Sequence, residues 1–468
     1  MIDYFFNCNN KDAFVQIEKD YMLRIKKVNK QVLIIKEKKC TDSKKENHLD
    51  LTYSLFGYLT ADDVYNQLAN IKHIGFEVTD ACNLKCTYCI YGKFYNNHDD
   101  RVNKQIDIKK AKIFIDFLIE KLSLPANKSP RNEVLISFYG GEPLLNINFI
   151  KEVVYYTQQK QDNHIKFSYI MTTNAVYLKK HFHFLFKYNF SITVSLDGSK
   201  ENDSHRKFPN GKPSFGVVYQ NLKYIQDNYT DYFENNIKFN SVLHNLNNRQ
   251  DVFSFFYRVF DKIPRFSEMN PTGVKGGLEK AFDDLIRPKP FVRDKKLEAE
   301  MTRVLGLDSD QSNQLQDFIF HYSGNVFDNY NELLIKREKV DHLPTATCIP
   351  FSKRIFMTVN NKILPCERIG HQFVLGEVTD EEVKIDCEYI AEKYNNYYDS
   401  VRKQCMGCYH KRNCPQCMFD IQNLGKKSVC NKMSNSKKFS EYLLANMEIL
   451  YNKPELYKRI MEEIIIVK

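Results

Sequence analysis

The chain has 468 residues, 43% hydrophobic and 13% aromatic, so it can bury more core than one average domain; general disorder is excluded and two or three domains are expected. Lys and Arg number 68 against 58 Asp and Glu, and the resulting formal charge of +10 reads first as background basicity and only second as a signal for an acidic peptide or nucleic acid. The 13 cysteines are an odd number, and they cluster.

The opening MIDYFFNCNN has no charged segment followed by an apolar run and a cleavage site. No stretch approaches the roughly 18 apolar residues of a membrane span. The expectation is a cytoplasmic protein without a membrane span. Thiols there stay reduced, so clustered cysteines point to metal rather than disulfides.

Residues 1–70 are expected to form a small N-terminal module. It holds β-like runs at 21–27 and 31–36, a charged loop at 38–47 and a helical pattern at 61–70. From residue 71 to 271 strands and helices alternate. Ile74, Phe76 and Val78 alternate with Gly75 and Glu77, a period-2 strand. Asp107 caps a helix whose face is Ile108, Ala111, Ile115, Leu118, Ile119 and Leu122. Further strands are predicted at 134–139, 165–171, 191–196, 237–243 and, more weakly, 265–269. Helices lie between them. Alternation of this kind implies βαβ units and a parallel sheet, and six units imply an α/β partial (β/α)6 barrel of TIM type. Residues 272–344 break the rhythm and read as a helical linker or insertion with no visible chemistry. Residues 345–434 are rich in cysteine, and 435–468 form a helical tail.

Cys82, Cys86 and Cys89 have the spacing C-x3-C-x2-C, in the loop after the first barrel strand. Three thiolates so close can converge on one metal centre. A structural zinc wants a fourth ligand, and none is near in sequence. Three cysteines on a four-iron cluster leave one iron open for a substrate or cofactor.

CNLKCTYC resembles the cluster motif of radical S-adenosylmethionine (radical SAM) enzymes. The resemblance implies that the open iron chelates the methionine moiety of SAM and that Tyr88 lies near the adenine. Gly140, Gly141, Glu142 and Pro143 follow the second strand and resemble the site for the methionine amine. Thr172, Thr173 and Asn174 end the third strand, where the family carries a small polar pair. Ser195 and Asp197 end the fourth, with His205 and Arg206 just beyond. In similar enzymes such a serine and arginine hold the methionine carboxylate. Val242 and Leu243 end the fifth, where contacts to adenine are usual. Independently of the family, each motif sits at the C-terminal end of a parallel strand, where barrel enzymes collect their active sites.

The C-terminal cysteines read C-x2-C-x5-C-x2-C-x12-C over Cys405, Cys408, Cys414, Cys417 and Cys430, with Cys348, Cys366 and Cys387 upstream. Two C-x2-C pairs alone fit a structural zinc. The region resembles the SPASM domain, an auxiliary-cluster extension of radical SAM peptide maturases, with one residue fewer between Cys414 and Cys417. The resemblance implies two auxiliary clusters: Cys405, Cys408, Cys414 and Cys430 for one, Cys348, Cys366 and Cys417 for the other. Cys387, another side chain or the peptide itself is left to complete the second, and an open site is favoured. Cys8 and Cys40 read as plain thiols. Glu367 follows Cys366, where related sulfatase maturases carry an Asp base. It is a candidate catalytic base; the competing and favoured reading is a pair with Arg368 or a supporting role.

The resemblance implies three [4Fe-4S] clusters, SAM, and a flavodoxin- or ferredoxin-type electron donor. The expected substrate is a ribosomally made precursor peptide with a leader. The expected product is an oxidative C–S or C–C cross-link initiated by a 5′-deoxyadenosyl radical. The N-terminal module is a candidate leader binder, weighed equally against simple capping of the barrel. The alternatives are formylglycine formation on a sulfatase and a non-catalytic Fe–S or zinc module contacting RNA. No aromatic-plus-basic motif supports the latter, so no nucleic acid is expected.

Overall fold

The computed structural model describes residues 4–7, 12–18, 21–28, 31–38, 54–289, 309–322, 341–453 and 455–460. Cys8, Cys40, most of the predicted 38–47 loop, and parts of the 272–344 segment and of the tail lie outside the described residues. The chain divides into two compact units.

One unit comprises residues 1–58, 299–347 and 394–468. Its sheet has four antiparallel strands in the order β1 (Tyr4–Asn7), β2 (Asp12–Glu18), β3 (Tyr21–Val28) and β4 (Gln31–Lys38). The predicted runs at 21–27 and 31–36 are β3 and β4, paired in register from Tyr21↔Lys38 to Val28↔Gln31. A separate apolar core joins the helix Ser309–Tyr322 to the helix Ser436–Asn452 through Leu315, Phe318, Ile319, Phe439, Leu443 and Met447. Arg402 ties the end of the helix Cys387–Met406 to the segment before residue 58. It donates to the Leu55 and Gly57 carbonyls and stacks on the Tyr58 ring.

The other unit comprises residues 59–298 and 348–393. Its ten-stranded sheet runs β10–β9–β8–β7–β6–β5–β11–β12–β13–β14. Strands β5 (His73–Thr79), β6 (Asn132–Gly140), β7 (Ile165–Thr173), β8 (Ser191–Ser195), β9 (Ile237–Val242) and β10 (Arg265–Ser267) are mutually parallel, as the alternating pattern predicts. The sheet is open, with β10 and β14 as its edges.

Helices follow the first five of these strands: Ile108–Leu122, Ile147–Lys160, Leu178–Lys187, Phe215–Asn228 and Arg249–Phe260. The first begins where Asp107 accepts a bond from the Lys109 amide at 2.8 Å, a cap worth about 1 kcal/mol. Its Phe114, Ile115 and Leu118 are buried. Along β7, Phe167, Tyr169 and Met171 are buried while Lys166 and Ser168 are exposed. One face of the parallel strands is therefore sealed under helices. The other carries smaller and more polar residues, among them Ser137, Thr172, Thr193, Ser195 and Asn240, and remains half-exposed.

The sheet continues beyond the six predicted strands. β11 (Ile355–Met357) runs parallel to β5, pairing Ile355 with Ile74. β12 (Lys362–Leu364), β13 (Gly376–Val378) and β14 (Val383–Ile385) then form an antiparallel meander. Residues 348–393 thus share a sheet with the barrel strands.

Candidate functional site

Cys82, Cys86 and Cys89 lie in the loop leaving β5, and none forms a disulfide. A backbone bond from Cys89 N to Cys86 O (3.2 Å) tightens the loop, and the Leu84 amide donates to Cys82 Sγ at 3.4 Å. Bonds from Lys85 N to Lys207 O (2.7 Å) and Thr87 N to His205 O (3.2 Å) hold it against the segment after β8. Burial pushes the Cys82 thiol up to about 11 and the Cys86 thiol up to about 12, and it raises Cys89 as well. Each thiolate charge also opposes its neighbours, so the three lie within electrostatic reach of one another. Among the described residues no three Cys, His, Asp or Glu close on a single ion. A cluster differs from an ion because each cysteine binds a different iron, so its ligands stand further apart. Three free thiols, Cys82 exposed and Cys86 and Cys89 half-buried, are the soft donor set such a cluster takes, and a bound metal's charge would offset the penalty on their ionisation.

The strand ends pack around this loop. Gly140 has φ +130°, and a Cβ there would run into the Thr79 carbonyl oxygen; one on Gly141 would meet Ala81 O. The two glycines therefore admit the loop's own backbone, joined by Gly141 N to Thr79 O (2.8 Å) and Glu142 N to Ala81 O (2.9 Å). Pro143 opens a single 3-10 turn, Pro143–Asn146. The Glu142 carboxylate is fully buried and accepts from Leu144 N (3.1 Å), Thr173 Oγ1 (2.6 Å) and Asn174 N (2.7 Å). Burial raises its pKa, and these bonds partly offset the rise. Asn174 reaches onward to Asn83 Oδ1 (2.7 Å) and lies 3.8 Å from Cys82 Sγ. The ends of β6 and β7 are thereby fastened to the thiol loop.

A second polar hub lies at the ends of β8 and β9. The Tyr88 phenol donates to Asp197, and Arg206 Nη1 donates to the same phenol at 2.9 Å. Asp197 also accepts from Val242 N (2.9 Å), and Leu243 N bonds Ser267 O (2.9 Å). His244 stacks on Tyr88 with ring centroids 5.7 Å apart and lies 3.6 Å from Asp197. Asp203 faces Arg206 at 3.8 Å, and its pKa is pushed well up, by burial first and then by the Asp197 charge. Ser195 ends β8, half-exposed on the open face. Sequence reasoning missed His244, Asp203 and Asn247, whose amide bonds the Val242 carbonyl (2.9 Å). Only their position just past strand ends could have marked them.

The segment after β10, read from sequence as devoid of chemistry, packs on the thiol loop. The helix Glu279–Ile286 sets Phe282 and Leu285 against Tyr88, Phe94 and Tyr95, beside Cys86.

Glu367 accepts from Arg354 Nη1 at 2.7 and 2.6 Å, with Arg368 further off at 3.7 Å. The sequence pointed to Arg368 as partner; Arg354, just before β11, is the nearer one. Burial works to raise the Glu367 pKa, yet Arg354 and Arg368 hold it below the usual carboxylate value. The Cys366 thiol lies 3.5 Å from Glu367 and is pushed up to about 12 by burial. Cys348 is exposed in the same unit, and Cys417 belongs to the other.

In that other unit Cys405, Cys408, Cys414 and Cys430 line one cavity, with Gln404 and Pro415. Burial pushes the Cys405 thiol up to about 12, followed by the charges of Cys414, Cys430 and Cys408. Four thiols around one cavity fit a metal–sulfur centre by their chemistry. No described helix is long and apolar enough to cross a membrane.

Residues 76–256 match the sequence profile of the radical SAM superfamily. The chain is 32% identical over 193 residues to the radical SAM cyclopropyl synthase TigE of Paramaledivibacter caminithermalis, covering 40% of this chain and 37% of that one. It is 29% identical over 217 residues to a cysteine-type anaerobic sulfatase-maturating enzyme of Clostridium novyi, covering 43% of this chain and 56% of the relative. The chain thus spans roughly half or less of the lengths of these curated relatives. The solved structure of native anSMEcpe with bound AdoMet superposes with a TM-score of 0.52 at 16% identity, over 84% of this chain and 99% of that one, a likeness of fold. The three-thiol loop and its ring of strand-end motifs fall inside the matched span, so residues 76–256 form a radical SAM domain.

Proposed function

We propose that the protein is a radical SAM peptide maturase that oxidatively cross-links a ribosomally made precursor peptide. The observation that carries this reading is the three-thiol loop ringed by polar strand ends on one side of an open parallel sheet, in a chain with a separate four-thiol cavity. Cys82, Cys86 and Cys89 would hold a [4Fe-4S] cluster, and the residues at the ends of β6 to β9 would hold SAM. Bound there, the pair supplies one-electron chemistry that removes hydrogen from an unactivated carbon.

The chain's own residues do the rest. Glu142, Thr173 and Asn174 fix the loop at 82–89 against β6 and β7. Tyr88, Asp197 and Arg206 form a buried, charge-balanced wall. The half-exposed inner row offers hydrogen-bonding groups to an extended peptide. Forming a cross-link removes two hydrogens from the peptide, so the second electron needs an acceptor. The site of Cys405, Cys408, Cys414 and Cys430 suits that role as an auxiliary cluster, and Cys348, Cys366 and Cys417 are proposed for another. A flavodoxin- or ferredoxin-type protein would supply the first electron. The similarity to TigE favours this reading.

Formylglycine formation is the second reading, favoured by the similarity to sulfatase-maturating enzymes. Against it stands Glu367, where those enzymes carry an Asp, already held by Arg354.

The test is anaerobic reconstitution followed by incubation with SAM, dithionite and two peptide sets. Precursor peptides encoded beside the gene should lose two hydrogens per cross-link, and 5′-deoxyadenosine should accumulate. Conversion of a sulfatase peptide's cysteine to an aldehyde instead would install the second reading. No 5′-deoxyadenosine with either set would remove both.

A further inference from the structure

We propose that the helix Glu279–Ile286 is a seal over the thiol loop, with Phe282 and Leu285 as positioning residues that keep water and dioxygen from the Cys86 side of the metal centre. The inference rests on reading that loop as a cluster site.

Phe282 is 1% exposed and Leu285 4% exposed, although both stand on a short helix with charged neighbours. Phe282 meets Phe94 edge-on at 5.5 Å and Tyr95 at 6.0 Å. Tyr88 joins the same apolar group, and the Cys86 side chain packs directly against it. The contact is pinned by main-chain bonds at several points. Lys275 N donates to Phe94 O (2.8 Å), Tyr95 bridges Val274 as an antiparallel pair, and Asn245 N donates to Leu285 O (2.9 Å). The Tyr95 phenol closes the near end on Asn270 O at 2.7 Å. A segment without catalytic side chains is thus bound at one end to Phe94 and Tyr95, within ten positions of the cysteines, and at the other to Asn245.

The physical consequence concerns the metal centre. Apolar walls exclude water from an iron–sulfur site and so slow its loss of iron and its attack by oxygen. Truncating Phe282 opens space in the apolar cluster against which Cys86 packs, while the cavity around Cys405 and Cys408 has none of these residues in its lining. Lability should therefore change at one thiol set and not at the other.

The test uses the anaerobically reconstituted full chain, treated with a ferrous-iron chelator and N-ethylmaleimide. Mass spectrometry follows labelling of the tryptic peptide bearing Cys86 and Cys89 and of the one bearing Cys405 and Cys408. Phe282→Ala should label the first peptide several-fold faster than the parent and the second at the parental rate. Phe282→Leu should restore slow labelling. Parity at Cys86 and Cys89 between the parent and a folded Phe282→Ala overturns the seal. Should Phe282→Ala loosen the whole chain and label both peptides faster, the milder Leu285→Val makes the same comparison: selective acceleration supports the seal and parity overturns it. A parent that takes up no iron and labels Cys86 and Cys89 at once defeats the cluster reading itself, a different failure from parity between variants.

Discussion

Tyr88 is held from both sides of a buried charge pair: its phenol donates to Asp197 and accepts from Arg206. The aromatic ring beside Cys86 is therefore fixed in rotation by two groups on the segment that follows β8. Replacing Tyr88 with Phe keeps the ring and removes both bonds, and it should lower stability by about 1–2 kcal/mol. Asp197→Ala should lower it further, because the Val242 amide loses its acceptor and Arg206 loses a counter-charge. Urea denaturation of both variants checks the order. Equal stabilities would show that Asp197 matters only through Tyr88.

Glu142 holds the end of β7 to that of β6 with two accepted bonds, from the Thr173 hydroxyl and the Asn174 amide, and accepts a third from the Leu144 amide. Glu142→Gln keeps the volume but turns an acceptor into an NH2 group. Thr173 can rotate its hydroxyl to suit, and a main-chain N–H cannot. The substitution should destabilise the chain by about 1–3 kcal/mol, the usual range for an orphaned buried donor, read by thermal or urea unfolding. No loss would show that the amides of Leu144 and Asn174 find another acceptor when the carboxylate is gone.

Much of this architecture is legible in the sequence, for a physical reason. Strands β6 to β9 bury one face under helices, and along β5, buried on both faces, Ile74, Phe76 and Val78 still alternate with Gly75 and Glu77, so the period shows directly. Strands β11 to β14 are three residues each, too short to show a period, and β11 finds its partner β5 some 280 residues away by register alone. The thiol loops are legible because their ligands must be close in sequence. Phe94 and Phe282 are not, because an apolar contact leaves no spacing rule. Arg354 as the partner of Glu367 escaped for the same reason, since Arg368 was next in line and Arg354 is brought in only by β11.

Cys408→Ala should remove about four irons per chain from a fully reconstituted protein, because Cys408 is one of four thiols around a single cavity. Cys387→Ala should leave the iron content unchanged. The charged groups beside Cys387 are Asp386 and Lys121, and no other thiol is among them. Iron and sulfide analysis after anaerobic reconstitution separates the two variants. A loss of iron in Cys387→Ala would make that thiol a ligand of an auxiliary cluster.

His98 gives the protein an acid-side liability. Burial first, then the neighbouring His371 and Arg101, push its pKa from 6.5 down to about 4. The unfolded chain therefore binds a proton that the folded chain refuses between these values. Stability from this group is fully present above about pH 6.5 and is lost as the pH falls toward 4. His73 is shifted in the same direction, also to about 4, so the two slopes add. The melting temperature should drop across this window, and His98→Phe should reduce the slope without abolishing it. An identical slope in the variant would show that His98 is protonated without penalty in the folded chain.

Arg101 and Glu77 make the sharpest stability prediction. Glu77 is fully buried, Arg101 Nη1 donates to it at 2.7 Å, and the Val359 amide donates at 3.1 Å. Arg101 also lies over the Tyr91 ring at 3.8 Å and donates to Asp80 O at 3.0 Å. Removing the guanidinium leaves a buried carboxylate with no counter-ion. Arg101→Gln alone should therefore be destabilising by about 3–5 kcal/mol, the penalty for an unpaired buried charge. Glu77→Gln in the same chain removes that charge. The double variant should recover part of the loss, because two contacting residues are not additive. A double-mutant cycle by urea unfolding measures the coupling. If the double variant is as unstable as the sum of the singles, the pair contributes no mutual stabilisation, and the Arg101 contacts to Tyr91 and Asp80 account for its place in the fold.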